Sequence, residues 1–313
     1  TSGYPGLPGA TILDKRRYAM EYLDHLRTST MWEPRGHADM YGCILTEPVT
    51  PDGDFGVVFL HNEGYSSMCG HGIIAVTKVA LETGLVDFPG QHDTVRIDTP
   101  AGRVSAKARW GDNRVVEVSF LNVPSFVFAL DQVATVPGLG EVTYDVAFGG
   151  AFYAFVQAET LGLELTPAGF NRLVETGVSI KRAVMNQLPI NHPFEEDLGF
   201  LYGVIFVGAA QRLDNHSRNV CVFADGEVDR SPTGTGVSAR AALHFSRGEL
   251  DVGQHFTVES ILGTCFTGEV VEEVDYGPYK AVIPKVTGSA FICGTNTLLI
   301  DPEDPLRSGF ILR

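Results

Sequence analysis

The sequence predicts an α+β chain made of two equivalent halves, each carrying a surface helix, a buried central helix and several short strands. Two glycine-punctuated stretches predict it. In the first, Ser67-Met68-Cys69-Gly70-His71-Gly72 leads into an apolar run over residues 73–83 that reads as one buried helix, and Gly84 supplies a left-handed stop. In the second, Ser231-Pro232-Thr233-Gly234-Thr235-Gly236-Val237-Ser238-Ala239 runs on to Arg247-Gly248. Cys69 and Thr233 are 164 residues apart, and so are Gly70 and Gly234, Gly72 and Gly236, Ala75 and Ala239, and Gly84 and Gly248. Val58-Phe59 matches Val222-Phe223 at the same offset, so the register holds from strand through loop to helix without a gap, as an internal repeat requires.

Taken in order, residues 11–26 place Ile12, Leu13, Tyr18, Met20, Leu23 and Leu26 at helical spacing and read as an amphipathic surface helix. A polar loop over 33–42 follows, in which Arg35 and His37 are expected to tie down the loop rather than line a cleft, and a strand comes near 43–45. Residues 55–60 form a strand feeding the Cys69 loop, and 87–91 a turn. Short β-branched segments at 95–98, 102–109 and 115–120 read as an antiparallel meander. The first half ends near Asn122-Val123-Pro124. Strands resume at 142–146 and 151–157, and Thr166-Pro167 opens a second amphipathic helix. Further strands are expected at 200–209, 219–223, 255–258, 264–274 and 281–286. A closing strand at 291–300 and the Asp301-Pro302-Glu303-Asp304-Pro305 turn then return to the first domain. The expected lobes are therefore 1–121 with 288–313, and 122–287, joined by short crossings because no low-complexity linker separates them.

Composition narrows the partners. A chain of 313 residues, 44% hydrophobic, can bury two medium cores. A formal charge of -15 and a pI near 4.9, with no Lys/Arg stripe, argue against nucleic acid. The five cysteines, Cys43, Cys69, Cys221, Cys265 and Cys293, are odd in number, widely spaced and without a Cys-x-x-Cys pair. That favours a reducing compartment, expected to be the cytoplasm, and gives no zinc pattern. No run approaches a membrane span and no secretory signal opens the chain. Because the first residue is Thr1 rather than Met, some residues ahead of it are expected to be missing or removed.

Cys69 stands at a helix entrance, where N–H groups and the positive dipole end favour a thiolate. If the halves pack face to face, two helix N-termini converge to hold an anionic group with one side chain from each half. Other chemistries fit less well. Gly234-Thr235-Gly236-Val237-Ser238-Ala239 has the look of a dinucleotide fingerprint, but Arg230-Ser231-Pro232 interrupts the strand-to-helix turn it needs. No Gly-Lys-Ser/Thr phosphate loop is present. A Cys69–His71 hydrolase pair is disfavoured because residues two apart at a helix start point in different directions and no third orienting group is evident.

Met68-Cys69-Gly70-His71-Gly72 together with Asp229-Arg230-Ser231-Pro232-Thr233-Gly234-Thr235-Gly236 closely resembles the two signature loops of the proline racemase family. The likeness extends to Glu33-Pro34-Arg35-Gly36-His37 and the Asp301–Pro305 tail, and so covers nearly the whole chain. It implies the two-lobed diaminopimelate-epimerase fold, each lobe a barrel-like sheet around a central helix, with a cysteine from each loop facing opposite sides of the substrate α-carbon. Here Thr233 stands where the second cysteine belongs, which resembles the trans-3-hydroxy-L-proline dehydratase branch. Racemisation needs an acid and a base on opposite faces with pKa values near the working pH, and a threonine hydroxyl serves as neither. Elimination is less demanding: the α-hydrogen and the 3-hydroxyl of trans-3-hydroxy-L-proline share a face, so one thiolate can take the proton and return it to the departing oxygen.

The resemblance and helix-end electrostatics assign the remaining roles. Backbone N–H groups of Gly70, His71, Gly234 and Thr235 hold the substrate carboxylate. Asp229 and the His71 side chain contact the ring nitrogen, Thr233 either hydrogen-bonds the 3-hydroxyl or fills space, and Cys221 packs in a strand. The expectation is thus a lyase forming pyrroline-2-carboxylate from a small-molecule hydroxyproline substrate, with no cofactor, no metal, no nucleic acid and no membrane as partner, as a monomer or homodimer. The rival readings are a racemase or epimerase of proline or 4-hydroxyproline, and a non-catalytic amino-acid binder.

Overall fold

A computed structural model describes residues 4–86 and 94–312, so the turn expected at 87–91 lies outside the described residues. The chain forms two compact units: Thr1–Met68, Gly72–Val118 and Ser289–Arg313 make the first, and Cys69–His71 with Ser119–Gly288 make the second.

In the first unit, helix α1 (Ile12–Tyr22) begins with a capping box in which the Thr11 hydroxyl accepts from Asp14 N at 3.0 Å and the Asp14 carboxylate accepts from Thr11 N at 3.1 Å. The single helix expected over 11–26 is two, because Leu23 leaves helical geometry (φ -123°, ψ 12°) and α2 (Asp24–Met31) sets off afresh. The break buries Met31 with Ile12 and Ala19 in one core, and the new helix buries Arg27, whose guanidinium donates to the His61 carbonyl at 3.1 Å and pairs with Asp24. Strands β1 (Tyr41–Thr46) and β2 (Phe55–His61) are antiparallel, and β3 (Gly64–Ser66) folds back on β2. Helix α3 (Gly70–Thr83) follows and ends at Gly84, whose φ of +65° is the left-handed stop its sequence called for. Strand β4 (Thr94–Thr99) lies parallel to β2, β5 (Gly102–Gly111) returns antiparallel to it, and β6 (Arg114–Leu121) comes next.

In the second unit, β7 (Ser125–Val136), β8 (Gly140–Phe148) and β9 (Phe152–Gln157) form a meander. Strand β7 was not foreseen. Its register against β8 slips twice, around Ala129 and before Gln132, and Asp131 has φ +52°, so the two-residue alternation that marks a strand is broken. Helix α4 (Phe170–Gln187) buries Leu173, Thr176, Gly177, Ile180, Ala183 and Val184, one face of a 3.6-residue period, against the sheet. Then come β10 (Leu201–Gly208), β11 (Ser217–Phe223), β12 (Glu227–Val228), α5 (Gly234–Ser246), β13 (His255–Glu259), β14 (Cys265–Tyr276) and β15 (Tyr279–Gly288). The order β7-β8-β9-β10-β11-β13-β14-β15 closes on itself through Ala281↔Phe126 and Val282↔Ser125, giving an eight-stranded barrel. Helix α5 packs against β7, β8, β14 and β15, and every residue from Gly234 to Leu243 is buried. Glycine, alanine and serine supply half of its residues, which suits a helix enclosed on all sides. It too stops at a left-handed glycine, Gly248 (φ +68°).

The closing strand expected at 291–300 does not form. All ten residues are exposed, Phe291 at 87% and Leu299 at 80%, and no strand among the described residues runs beside them to supply a ladder. Beyond it the chain does return to the first unit: Phe310 and Glu33 exchange backbone hydrogen bonds at 3.0 Å, and the Arg35 guanidinium donates to the Arg307 carbonyl at 2.6 Å. Arg35 therefore ties the 33–42 loop to the tail, while His37 Nδ1 meets the neighbouring Ala38 carbonyl. Among the described residues no helix is long and apolar enough to cross a membrane.

Candidate active site

Two helix starts define the candidate site. Cys69 directly precedes α3 and Thr233 directly precedes α5, and the first residues of the two helices touch backbone to backbone. A Cβ built on Gly70 would lie 2.5 Å from the Gly234 Cα, and one built on Gly234 would lie 2.7 Å from the Gly70 Cα. Any side chain at either position would force the helices apart, so the paired glycines of the sequence repeat exist for this approach. Gly70, His71, Gly234 and Thr235 thus open two adjoining helices, where N–H groups point outward and the dipoles are positive.

Strand β11 turns through β12 to deliver Asp229, whose N–H donates back to the Cys221 carbonyl at 3.1 Å, and polar atoms of the segment from Asp229 to Thr233 bond one another. Asp229 Oδ1 accepts from Ser231 N at 2.7 Å, and Asp229 Oδ2 accepts from the Thr233 hydroxyl at 3.0 Å. Thr233 N donates to the Ser231 hydroxyl at 3.1 Å, and the Thr233 carbonyl accepts the first helical N–H, from Val237, at 2.7 Å. These bonds hold Thr233 at φ +67°, a left-handed conformation that costs a β-branched residue on the order of 1–3 kcal/mol. Behind it the Asn219 amide donates to the Pro232 carbonyl at 3.0 Å and is itself fixed by buried Arg240 at 3.0 Å. The Tyr153 hydroxyl pairs with the Thr235 hydroxyl at 2.7 Å.

His71 joins the two starts. Its Nδ1 lies 3.2 Å from Asp229 Oδ2 and 3.2 Å from the Ser231 hydroxyl, and its side chain also hydrogen-bonds Cys69. Burial opposes a charge on the imidazole, yet the carboxylate of Asp229 and the contact with Cys69 outweigh it and hold the pKa well above 6.5. Burial likewise opposes the Asp229 carboxylate, but the His71 charge and the hydrogen bonds from His71 and Ser231 keep its pKa below the usual 3.8. Cys69, Asp229, Thr233 and Thr235 are buried, whereas the His71 side chain keeps 28% of its surface, enough for a ligand to reach it.

The arrangement is a hydrogen-bonded chain, Cys69–His71–Asp229–Thr233. It corrects the reading that Cys69 and His71 diverge with nothing to orient the imidazole. The helix start lets the two side chains meet, and the orienting group is Asp229, whose distance along the sequence hid it. All seven residues singled out from sequence, Cys69, Gly70, His71, Asp229, Thr233, Gly234 and Thr235, are in the second unit. Cys221 lies buried in β11; burial pushes its thiol well above the usual 9, so it stays protonated beside the Thr233 hydroxyl. Sequence reasoning missed Ser231 and Tyr153. The first sat inside the quoted motif, and nothing in the pattern around Tyr153 marked it. Among the described residues no group of three or more His, Cys, Asp or Glu side chains could hold a metal ion.

The proline racemase family model matches residues 1–311. The chain belongs to the proline racemase family. Within that family it is similar to a trans-3-hydroxy-L-proline dehydratase of Colwellia psychrerythraea, at 51% identity over all of this chain and 88% of the relative. A 3-hydroxyproline 2-epimerase of Burkholderia multivorans is 45% identical, over all of this chain and 93% of the relative. Among solved structures, a hydroxyproline epimerase of Agrobacterium vitis with bound trans-4-hydroxy-L-proline superposes with a TM-score of 0.93 at 32% identity, over all of this chain and 90% of that one. The mixed α+β architecture is therefore that of the proline racemase family and its epimerases.

Proposed function

We propose that this family member is a hydro-lyase that converts trans-3-hydroxy-L-proline to pyrroline-2-carboxylate and water, with Cys69 as its only acid–base group. The observation that carries the reading is Thr233. Its hydroxyl is committed to Asp229 Oδ2 at 3.0 Å, and the nearby thiol, Cys221, is held protonated, so the second helix start offers no base. The dehydratase relative, at 51% identity, agrees with it. The epimerase relative names the same ring, but inversion needs a proton donor on the second face, and Thr233 does not supply one.

The substrate carboxylate sits against the opening N–H groups of α3 and α5, from Gly70, His71, Gly234 and Thr235, which stabilise the charge that spreads onto it as the α-proton leaves. Asp229 accepts a hydrogen bond from the ring ammonium and so acidifies the α-carbon, while His71, beside the ring nitrogen, keeps the Asp229 carboxylate ionised for that contact. The Cys69 thiolate takes the α-proton; the C–O bond at carbon 3 breaks, the new thiol gives its proton to the departing oxygen, and water leaves. The enamine then tautomerises to the cyclic imine. No cofactor enters the sequence. The five cysteines are all thiols, which suits work in a reducing compartment such as the cytoplasm. An imine assay with o-aminobenzaldehyde tests this across proline, trans-3-hydroxy-L-proline and trans-4-hydroxy-L-proline. Colour with the 3-hydroxy compound alone is expected; no colour with it, or equal colour with the 4-hydroxy isomer, would sink the reading.

A further inference from the structure

From Gly234 to Ala242 helix α5 consists of small or apolar residues with one exception, Arg240, which is buried with them. Taking a guanidinium out of water is costly, and burial lowers its pKa to about 10, yet it stays a cation at neutral pH. Among the described residues no carboxylate bonds it directly. Its counter-charge arrives through an intermediary: Arg240 Nη2 meets His244 Nε2 at 3.0 Å, and His244 Nδ1 meets Glu249 Oε2 at 2.6 Å. A guanidinium can only donate, so Nε2 accepts and the imidazole is neutral with its proton on Nδ1. Burial and the Arg240 charge agree, pushing the His244 pKa down to about 4. The exposed Glu249 anchors this end of the chain at the surface.

The other edge of the guanidinium faces the Thr233 turn. Nη1 donates to Ser217 Oγ at 2.6 Å and to Asn219 Oδ1 at 3.0 Å, both on β11. The Phe256 ring lies 5.9 Å from Cζ, and His216 closes the cluster at 2.9 Å from Ser217 Oγ. Asn219 passes the contact on, since its Nδ2 donates to the Pro232 carbonyl at 3.0 Å. A cation on Oδ1 polarises the amide and strengthens that donation. The Pro232 carbonyl and the Thr233 N–H are two edges of one peptide plane, and the N–H donates to Ser231 Oγ at 3.1 Å, so the plane is pinned on both sides. Its orientation sets Thr233 at φ +67°, and from there the hydroxyl that reaches Asp229 and the first turn of α5.

We propose that Arg240 is a positioning residue of the second helix start: through Asn219 it holds the Pro232–Thr233 peptide, and with it Asp229 and the N–H groups of Gly234 and Thr235, in the geometry turnover needs. The reaction it serves is the one under the proposed function, on which this inference rests; the pinning of the turn does not depend on that reaction.

Kinetics with trans-3-hydroxy-L-proline and amide exchange by NMR test it in two variants. Asn219→Asp gives Arg240 a carboxylate partner, so the buried charge stays paired, but it turns the donor to Pro232 into an acceptor. Arg240→Lys keeps the charge and loses the fork that serves His244 and Asn219 together. In Asn219→Asp kcat is expected to fall at least about thirty-fold with KM changed less than about three-fold, because the charge held by the helix-start N–H groups grows as the α-proton leaves. The Thr233 and Val237 amides are expected to exchange at least about ten-fold faster, while those of Val204, Ile205 and Phe206 in β10 keep native protection. Arg240→Lys shows the same pattern at about a third of the size. Native kcat with native exchange at Thr233 in both variants overturns the proposal. So does faster exchange spread equally over β10 and the turn, which makes the cluster a support of the barrel alone. If the native protein does not dehydrate trans-3-hydroxy-L-proline, the proposed reaction fails and the exchange pattern decides the positioning by itself.

Discussion

The turns that open α3 and α5 share a backbone plan and differ in chemistry. Each is a glycine-rich approach to a buried helix, each helix stops at a left-handed glycine, and Gly70 and Gly234 meet at the join. Yet one turn carries Cys69, whose neighbour His71 holds a positive charge, and the other carries Thr233, whose hydroxyl is bound to Asp229. The second turn has become a scaffold for the first: Ser231 and Thr233 position Asp229, Asp229 charges and orients His71, and His71 reaches Cys69. On the proposed function, the first turn supplies the base and the second its electrostatic support.

The sharpest way to break this comparison is to remove the working half. Cys69→Ser should lower kcat for dehydration by roughly 10³-fold or more, since a hydroxyl replaces the proposed acid–base group, while the melting temperature stays within a few degrees. Losing the support costs less. Asp229→Asn should remove roughly 2–4 kcal/mol of transition-state binding, read as kcat/KM for trans-3-hydroxy-L-proline. The same variant sharpens the electrostatic claim. Burial is the largest influence on His71 and lowers its pKa; Asp229 is the first of the groups opposing it. An NMR titration should therefore find the His71 midpoint above 6.5 in the native protein and displaced downward in Asp229→Asn. The pair sets a pH window as well. The Asp229 contribution to stability is present above pH 3.8 and fades as pH falls through its lowered folded value, and that of His71 is present below 6.5 and fades as pH rises through its raised one. Native melting temperature should accordingly form a plateau between these limits, and Asp229→Asn should flatten both edges.

Smaller effects probe the join and the scaffold. Gly70→Ala places a methyl group 2.5 Å from the Gly234 Cα, a backbone atom with no rotamer to yield, and should destabilise by about 1–3 kcal/mol in urea unfolding. Thr233→Ser keeps the donor to Asp229 and should change kcat/KM less than three-fold, whereas Thr233→Val leaves one Asp229 lone pair unserved and should cost about ten-fold.

Much of this was legible in the sequence, for definite reasons. The 164-residue repeat exposed both helix starts, because tight glycine turns tolerate few other residues, and the short strands of the first half were marked by β-branched runs. What stayed hidden depends on tertiary context. The twists of β7 around Asp131 broke its alternation; the break at Leu23 is set by packing; and residues 291–300 have a strand's composition without a strand's neighbours. The chain Cys69–His71–Asp229–Thr233 was named residue by residue but not as a chain, since no local pattern tells that His71 and Asp229 meet at 3.2 Å.

The most direct test follows trans-3-hydroxy-L-proline by proton NMR and chiral chromatography during turnover in heavy water. The account predicts that pyrroline-2-carboxylate appears in step with loss of substrate, with no cis-3-hydroxy-D-proline at any time. Accumulation of that epimer deuterated at the α-carbon, without imine, would contradict it.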